Sequence, residues 1–235
     1  MGSIVEKHLS RLAAPKTWQL KRKGIKWIKR PLPGAHAMDR SVSLNFALKH
    51  ILNYARTNKE VKRMLNNQEI FVDGVRRKDP KFAIGIMDVL SIPKVGKYFR
   101  VLLTTKGKIK LLPIPENEAK IKLCRIKNKA PVKKKIQLNL GDGRNILVEK
   151  DEFKTRDTVV IEVPSQKIKE SLKLEKGNSV YLTRGKHVGE IGIFEEIKKG
   201  KLIYKRDKKM FETDISFAFV VGGKNPIISL SEVKK

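Results

Sequence analysis

Cationic side chains recur at three places in the chain, in patterns that suit the binding of phosphate groups. The run 21–30 alternates lysine and arginine with apolar and aromatic residues. The triplet Arg76-Arg77-Lys78 follows a strand-like segment, and residues 184–189 have the sequence RGKHVG. Ammonium and guanidinium groups neutralise phosphates, while an interleaved indole can stack on a base or fill a crevice. These patterns favour the binding of a nucleic acid.

Residues that could carry out catalysis are hard to find in this sequence. We expect no carboxylate partner beside any histidine, and Cys124 lies in an alternating segment typical of a buried strand. The triplet Gly222-Gly223-Lys224 resembles the end of a phosphate loop, but Asn225 stands where Ser or Thr is needed. The sequence therefore predicts a binding protein with no enzyme activity, metal, cofactor or small-molecule substrate. The four histidines are far apart and at no metal-ligand spacing: His8, His36, His50 and His187.

The overall charge of the chain is strongly basic. Lysine and arginine number 53 against 24 acidic residues, a formal charge of +29 over 235 residues. Such an excess repels itself, so it usually persists because a polyanion neutralises it. The hydrophobic content of 40% is ordinary for a folded protein. A single cysteine excludes an intramolecular disulfide framework and is consistent with the cytoplasm.

Membrane surfaces are the weaker candidate among polyanions. No segment approaches the roughly 18 apolar residues of a membrane span, and no export signal follows the first basic residues. The cations are spread along the whole chain, without an amphipathic anchor helix. We therefore expect a nucleic acid as the partner and no membrane.

The first 40 residues, which contain the cationic run 21–30, form the least globular segment of the chain. They contain ten Lys or Arg residues, two acidic residues, both tryptophans and the helix-breaking sequence PLPG at 31–34. One interpretation is an arm that becomes ordered on RNA. The other is a solvated arm whose tryptophans pack on the neighbouring domain.

Residues 41–98 are predicted to form a small unit of two helices followed by a hairpin. Leu44, Leu48, Ile51, Leu52 and Ala55 recur at helical spacing, with Ser41 or Ser43 as the N-cap. Thr57 or Asn58 begins a second helix, whose apolar face is Val61, Met64 and Leu65 and whose Lys62 and Arg63 face solvent. Asp73-Gly74 is a tight-turn dipeptide between strand-like segments, and a last strand covers 88–92. We expect Arg76 and Arg77 to be exposed, so that their replacement by alanine spares the fold.

Residues 99–173 read as short strands and turns. The segment 120–135 carries eight Lys or Arg residues and no acidic residue. It is predicted to be a basic loop or a strand edge that contacts RNA. The alternative is a solvated edge whose lysines oppose sheet-to-sheet aggregation.

Residues 174–225 are again rich in strand-like segments. The cationic, glycine-containing sequence 184–192 is predicted to be a turn between strands, where glycine permits close backbone approach or a positive φ. A last strand over 217–221 would close a small barrel. Residues 226–235 then form a C-terminal tail.

Six motifs occur in this order along the chain: KHLSRLAAPKTW at 7–18, KEVK at 59–62, DGV at 73–75, GIMDV at 85–89, RGKHVGE at 184–190 and the closing segment 222–230. Together they resemble the S4e family of small-subunit ribosomal proteins of archaea and eukaryotes. The fifth motif resembles the family's C-terminal KOW motif, in which a glycine marks the turn of a small SH3-like barrel.

The resemblance implies a non-catalytic protein that binds rRNA in the body of the small subunit, beside neighbouring ribosomal proteins. It implies an α+β, multi-domain and mostly β fold: a basic extension (1–40), a helix-hairpin RNA-binding domain (41–98), a central β-domain (99–173), an SH3-like KOW barrel (174–225) and a tail (226–235). Together with the residue patterns, it predicts RNA contact by Lys16, Trp18, Arg22, Lys26, Arg30, Arg40, Arg56, Lys62, Arg63, Arg76, Arg77, Lys78, Lys133, Lys134, Arg184, Lys186, His187, Gly189 and Lys224.

Two other classes of function remain alternatives. An RNA-modifying enzyme can carry the same helix-hairpin module, but it needs a separate catalytic domain with a cleft. The segment between the module and the barrel, 99–173, has 75 residues, too few for such a domain. A KOW-type transcription or translation factor would instead bind and leave its target repeatedly.

Overall fold

The computed structural model describes residues 9–21, 23–67, 70–133, 135–206 and 209–230. The described chain is mostly β, with short helices and five sheets. It divides into a first unit, Met1–Leu102 with Lys108–Ala119, and a second unit, Leu103–Gly107 with Lys120–Lys235. No helix in the described ranges has the length and apolar character needed to cross a bilayer. Four single turns of 3-10 helix occur: Arg11–Ala13, Met38–Arg40, Pro93–Val95 and Ile215–Phe217.

The first helix of the first unit is shorter than its apolar spacing suggested. Helix α1, Leu44–Phe46, continues as a π-helical turn, Ala47–Ile51. The Ser43 hydroxyl caps it by accepting a hydrogen bond from the Phe46 N–H at 3.2 Å. Asn53 then adopts a φ of 56°, a left-handed conformation that ends a helix, so the buried Ala55 lies outside it.

The second helix forms as its capping residues predict. Helix α2, Asn58–Asn66, begins at Thr57, whose hydroxyl accepts from the Glu60 N–H at 3.2 Å. Val61 and Leu65 are buried, which fixes the orientation of the helix on the unit. A third short helix, α3, covers Glu116–Ala119.

The strands of the first unit form three sheets. Short strands β1 (Leu9–Ser10) and β2 (Trp27–Ile28) pair with each other, as do β3 (Ser41–Ser43) and β6 (Ala83–Gly85). The main sheet has the order β5-β4-β7-β8-β9. Its strands are β4 (Phe71–Val72), β5 (Val75–Arg76), β7 (Val89–Ile92), β8 (Lys97–Leu103) and β9 (Ile109–Ile114).

The predicted hairpin is present and is anchored by a buried carboxylate. Asp73 and Gly74 have φ values of 50° and 71°, as the tight turn between β4 and β5 requires. The Asp73 carboxylate accepts a hydrogen bond from the Val89 N–H at 2.9 Å, which ties the turn to β7. Strands β8 and β9, assigned from sequence largely to the central segment, extend this sheet of the first unit.

The second unit begins with a five-stranded antiparallel sheet of order β12-β11-β10-β13-β14. Its apolar side chains, including Cys124, Ile126, Leu138 and Val159, form one buried cluster. The burial of Cys124 confirms its interpretation as a small core residue. The strands are β10 (Ile121–Val132), β11 (Lys135–Leu140), β12 (Asn145–Val148), β13 (Thr158–Glu162) and β14 (Ile168–Leu172).

A second five-stranded antiparallel sheet follows, with the order β18-β17-β16-β15-β19. The last strand therefore returns to pair with the first strand of this sheet, Leu182 opposite Ala218. The strands are β15 (Ser179–Leu182), β16 (Ile191–Lys198), β17 (Lys201–Arg206), β18 (Lys209–Asp214) and β19 (Ala218–Gly222).

Candidate nucleic-acid interface

Trp18 is part of the core of the first unit and does not contact solvent. Its side chain is 1% exposed, and its ring centroid lies 4.9 Å from that of Phe46. The indole N–H donates to the Ser41 carbonyl at 2.9 Å. The prediction that Trp18 contacts RNA is therefore wrong, because its indole has no face open to a base. Trp18 instead attaches the N-terminal segment to the helical part of the unit.

Trp27, which the predicted RNA-binding set omitted, is the exposed tryptophan. It lies on β2, is 55% exposed and has the Lys26 ammonium 5.4 Å from its ring centroid. Lys16 and Lys26 are also exposed, whereas Arg30 and Arg40 are half-buried. Arg22 lies outside the described residues.

Helix α2 presents the cations of the helix-hairpin region as predicted. Lys62 and Arg63 are exposed on the side of the helix away from buried Val61 and Leu65. Glu60 accepts from the Arg56 N–H at 2.8 Å and from the Thr57 hydroxyl at 2.9 Å. These hydrogen bonds, that of Arg56 first, lower the pKa of the Glu60 carboxyl. These capping hydrogen bonds fix where α2 begins and therefore where Lys62 and Arg63 lie.

Arg76 and Arg77 of the hairpin region make contacts within the fold that the sequence did not predict. Arg76 Nη2 donates to the carbonyl of Asn66, at the end of α2, at 3.0 Å. The Arg77 guanidinium lies 4.3 Å from the centroid of the Phe82 ring. Both side chains are half-buried, so the expectation that they are exposed is wrong. Their replacement would remove fold contacts together with charge, whereas Lys78 is exposed.

A cavity of about 310 Å³ opens beside the exposed Trp27 in the first unit. Its walls come from β2, from α1 with its π-helical turn, and from the first residue of α2. The described lining residues include four cations, Lys29, Arg30, Lys49 and Lys81, and none of them is acidic. Asn45, His50 and Asn58 also line it. Of these residues, only Arg30 was in the predicted set. The cavity combines residues from four separate parts of the sequence, 25–30, 45–50, 58 and 81, and no local pattern links them.

Most of the basic segment 120–135 is strand. Its residues 121–132 form β10, which pairs with β13 through Ile121–Arg125 and with β11 through Ile126–Val132, so each half is paired along one side. Several of its ammonium groups are already neutralised by carboxylates: Lys122 by Asp142 at 3.0 Å, and Lys135 by Glu149 at 3.2 Å. Lys133 is exposed at the hairpin tip with a φ of 54°, and Lys134 lies outside the described residues.

The Lys122–Asp142 pair is buried beside Cys124. Burial raises the pKa of the Asp142 carboxyl, but the charges of Lys122 and Arg144 and their hydrogen bonds outweigh it, so the net pKa is lowered. The Cys124 thiol donates to the same carboxylate at 3.3 Å. Burial raises the pKa of this thiol well above its usual value, which keeps it protonated and unreactive.

The turn between β15 and β16 presents two exposed cations, Arg184 and Lys186. His187 Nδ1 lies 3.1 Å from Glu190 Oε2, and Arg206 also pairs with Glu190. Gly189 has a φ of 78°, and a Cβ there would lie 2.5 Å from the Thr104 carbonyl oxygen. Both its conformation and its close contact require glycine at this position. Lys224, after β19, is exposed, and its carbonyl accepts from the Ser179 hydroxyl at 2.9 Å.

The expectation that no histidine has a carboxylate partner is wrong for two of them. His36 Nε2 lies 3.0 Å from Asp88, and His187 contacts Glu190 as described above. The Asp88 carboxylate also accepts from the Gly85 N–H at 2.8 Å, so the pair fixes a turn of the backbone. In the described ranges, no group of three or more His, Cys, Asp or Glu side chains could hold a metal ion.

The chain is similar over nearly its whole length to curated proteins named small ribosomal subunit protein eS4. The protein from Methanocaldococcus jannaschii is 42% identical over 240 residues, which cover 96% of this chain and 98% of the relative. The protein from Methanosphaera stadtmanae is 40% identical, covering 98% and 97%, and that from Aeropyrum pernix is 38% identical, covering 97% and 96%. This chain belongs to the S4e family of ribosomal proteins. The resemblance predicted from its motifs is confirmed.

Family models and a solved structure agree with the S4e assignment. The model described as "Ribosomal family S4e" matches residues 95–168, and the "RS4NT (NUC023) domain" matches 5–39. The crystal structure of the 30S ribosomal protein S4e from Thermoplasma acidophilum matches with a TM-score of 0.70 and 30% identity, covering 82% of this chain and 100% of that one. The mostly β, multi-sheet fold predicted for the chain is thereby confirmed.

Proposed function

We propose that this chain is a structural constituent of the small ribosomal subunit, where it binds rRNA through phosphate and shape contacts and supports translation. The observation that carries this proposal is the full-length similarity to proteins named small ribosomal subunit protein eS4. Its partners are small-subunit rRNA and neighbouring ribosomal proteins, its location is the ribosome in the cytoplasm, and it performs no catalysis.

The exposed cations support binding to phosphates in particular. Ammonium and guanidinium groups on neighbouring elements can contact both sides of a phosphate ridge and so recognise the shape of a folded RNA. Both units contribute such groups. The predicted RNA-binding cations that are exposed are Lys16, Lys26, Arg56, Lys62, Arg63, Lys78, Lys133, Arg184, Lys186 and Lys224.

Three folded parts with a basic extension and a tail remain our proposal for the domain organisation, the first of the three being the RNA-binding domain. The helix-hairpin domain would cover 41–98, the central β-domain 99–173 and the KOW barrel 174–225, between an extension (1–40) and a tail (226–235). The return of β19 to pair with β15 supports the barrel, because closure of a small barrel needs such a pairing. The turn Asp73-Gly74 and its anchoring to β7 support the hairpin.

No observation favours either alternative function. An RNA-modifying enzyme would need an additional domain with a catalytic cleft. The curated relatives are named as subunit proteins, and this chain covers nearly all of their length.

Salt titration of RNA binding by the purified full chain tests the proposal. The logarithm of the affinity for small-subunit rRNA should fall linearly with the logarithm of salt concentration, by about 0.7–0.9 per phosphate neutralised. Replacing Lys62 and Arg63 by glutamine should flatten this slope by up to about two phosphates, because both are exposed.

A matched control removes the same charge from sites that are already neutralised. Lys135→Gln with Lys201→Gln does so, since these lysines pair with Glu149 and Glu212. The control should retain most of the parent slope. Failure of the parent chain to bind rRNA at low salt would refute the proposed function.

A further inference from the structure

The cavity beside Trp27 has the size of a site for one small ligand. Its volume of about 310 Å³ is at the lower end of small-molecule pockets, which begin near 300 Å³. Such a volume suits a single nucleotide and is too small for the side of an RNA helix. The walls are parts of regular structure: Trp27 on β2, Lys49 on the π-helical turn and Asn58 at the first position of α2.

The charges around the cavity favour an anionic occupant. Lys29, Lys49 and Lys81 line it, and no described lining residue is acidic. His50 does not add a full charge in the unbound protein. Its pKa is lowered, first by burial and then by the charges of Lys49 and Lys21. Cations that line one cavity repel one another, and a phosphate group among them would relieve that repulsion.

The other walls favour a base over a bare anion. Trp27 is 55% exposed at the cavity, and an indole surface stacks on a base of any type. Asn45 is only 4% exposed and donates its amide N–H to Asn58 Oδ1 at 3.1 Å. This bond orients two side-chain amides at the cavity, where the remaining amide groups of the pair suit the edge of a base.

The cavity is built before any ligand arrives. The rings of Trp18, Phe46 and His50 pack in series, with centroids 4.9 and 5.0 Å apart and planes tilted by 38° and 33°. This packing supports the π-helical turn that carries Lys49 and His50. Turns of this kind are frequent at functional sites, because they redirect side chains out of the regular helical pattern. The entropic cost of ordering these walls is therefore part of folding, and ligand binding does not have to offset it.

We propose that this cavity binds one unpaired nucleotide of the RNA, with its base on Trp27 and its phosphates on Lys29, Lys49 and Lys81. The inference rests on the proposed function, because the nucleotide belongs to the RNA that the rest of the protein contacts. A bare phosphate would use the lysines but not the flat indole surface or the amide pair. An acidic peptide would match the lysines but would not use the flat indole surface.

Binding of the full chain to two short single strands tests this proposal. One is an unstructured oligoribonucleotide, and the other is its fully abasic counterpart, which keeps the phosphates and lacks the bases. The parent chain should prefer the strand with bases by about tenfold, and that strand should quench the emission of the exposed Trp27. Equal affinity for both strands would mean an anion site only and would overturn the proposal. Stronger competition by polyglutamate of the same length would identify an acidic peptide as the occupant and overturn it as well.

Substitutions locate the preference in the cavity. Trp27→Ala should reduce the preference for the strand with bases to near unity, whereas Trp27→Phe, which keeps a stacking surface, should restore most of it. Leu12→Ala is the matched control, because Leu12 is a 90% exposed apolar side chain and is not among the cavity residues. An unchanged preference in Trp27→Ala would contradict the proposal.

A second variant, Asn58→Asp, tests the site independently in case Trp27→Ala does not fold. Asn58→Asp places a carboxylate at the cavity and also in the first turn of α2, where an acidic group is favourable to the helix. It should weaken binding of the base-containing strand severalfold without lowering stability, and no change in affinity would count against the site. If the strand preference is absent while rRNA binding by the parent keeps its salt dependence, the cavity proposal fails and the proposed function stands.

Discussion

Two buried tyrosines of the second unit differ in what their hydroxyl groups contact. Tyr181 Oη accepts from the Leu103 N–H at 2.8 Å and donates to the Leu103 carbonyl at 2.9 Å, and burial raises its pKa to about 12. Tyr204 Oη is also buried, and no described residue forms a hydrogen bond with it. Identical side chains therefore make different contributions to stability, depending on whether a polar partner is present.

Tyr181→Phe should lower the free energy of unfolding by about 1–3 kcal/mol, because it leaves both backbone groups of Leu103 buried and unsatisfied. Tyr204→Phe is the matched control and should be neutral or slightly stabilising, since it removes a buried hydroxyl without a partner. Denaturant unfolding of the full chain measures both. Equal losses in the two variants would contradict the account of Tyr181.

The Asp142 carboxylate pairs with a buried lysine in the sheet of β10–β14. Asp142→Asn would remove the charge that pairs with the Lys122 ammonium and should cost about 3–5 kcal/mol near pH 7. The folded pKa of Asp142 is lowered, so its stabilising contribution is complete above the unfolded value near 4 and is lost as the pH falls through the folded value. The difference in unfolding free energy between parent and variant should therefore shrink below about pH 4.

Asp151→Asn provides the comparison for Asp142. Asp151 pairs with Lys129 but is 52% exposed, so its replacement should cost at most about 1 kcal/mol. Denaturant unfolding at a series of pH values measures the free energy of unfolding of both variants and the parent. If the difference between Asp142→Asn and the parent is as large at pH 2 as at pH 7, the lowered pKa assigned to Asp142 is contradicted.

At the scale of elements, the turn between β15 and β16 depends on a single glycine. Gly189 combines a φ of 78° with close approach to the Thr104 backbone, whereas Gly177 has a φ of 91° and no heavy atom within 4 Å of its Cβ position. Alanine at Gly177 should cost about 1–2 kcal/mol, the penalty for a left-handed residue. Alanine at Gly189 should cost a further 1–3 kcal/mol or so, because the added Cβ overlaps backbone atoms. Thermal or denaturant unfolding separates the two, and equal costs would exclude the steric contribution.

The elements predicted best from sequence are those that local chemistry specifies. Thr57 and Glu60 mark the start of α2 because a hydroxyl and a carboxylate satisfy the first amides of a helix. Asp73-Gly74 predicts its turn because both residues tolerate a positive φ. These signals lie within a few residues of the structure that they determine.

Other elements depend on distant partners and have a weak local signal. Strands β14 and β18 have the sequences IKESL and KMFETD, whose polar side chains do not by themselves predict pairing with β13 and β17. Only tertiary packing decides that Trp18 is buried and Trp27 exposed, since a lysine precedes each of them by no more than two residues. The cavity residues are likewise brought together by the fold of the first unit, so spacing along the chain could not identify them.

At the scale of the whole molecule, the net charge of +29 is the dominant feature. Carboxylates neutralise several lysines of the central sheet, yet exposed cations remain on both units. Such a surplus disfavours a compact free chain and favours one held against a polyanion. Salt should therefore affect RNA association more strongly than it affects the folded state.

Density-gradient fractionation of a lysate from cells that express this chain is the most direct test. At moderate salt the chain should sediment with the small ribosomal subunit in a ratio near one copy per particle, and rising salt should release it. A chain that stays at the top of the gradient at moderate salt would contradict its assignment as a permanent, RNA-bound component of that particle.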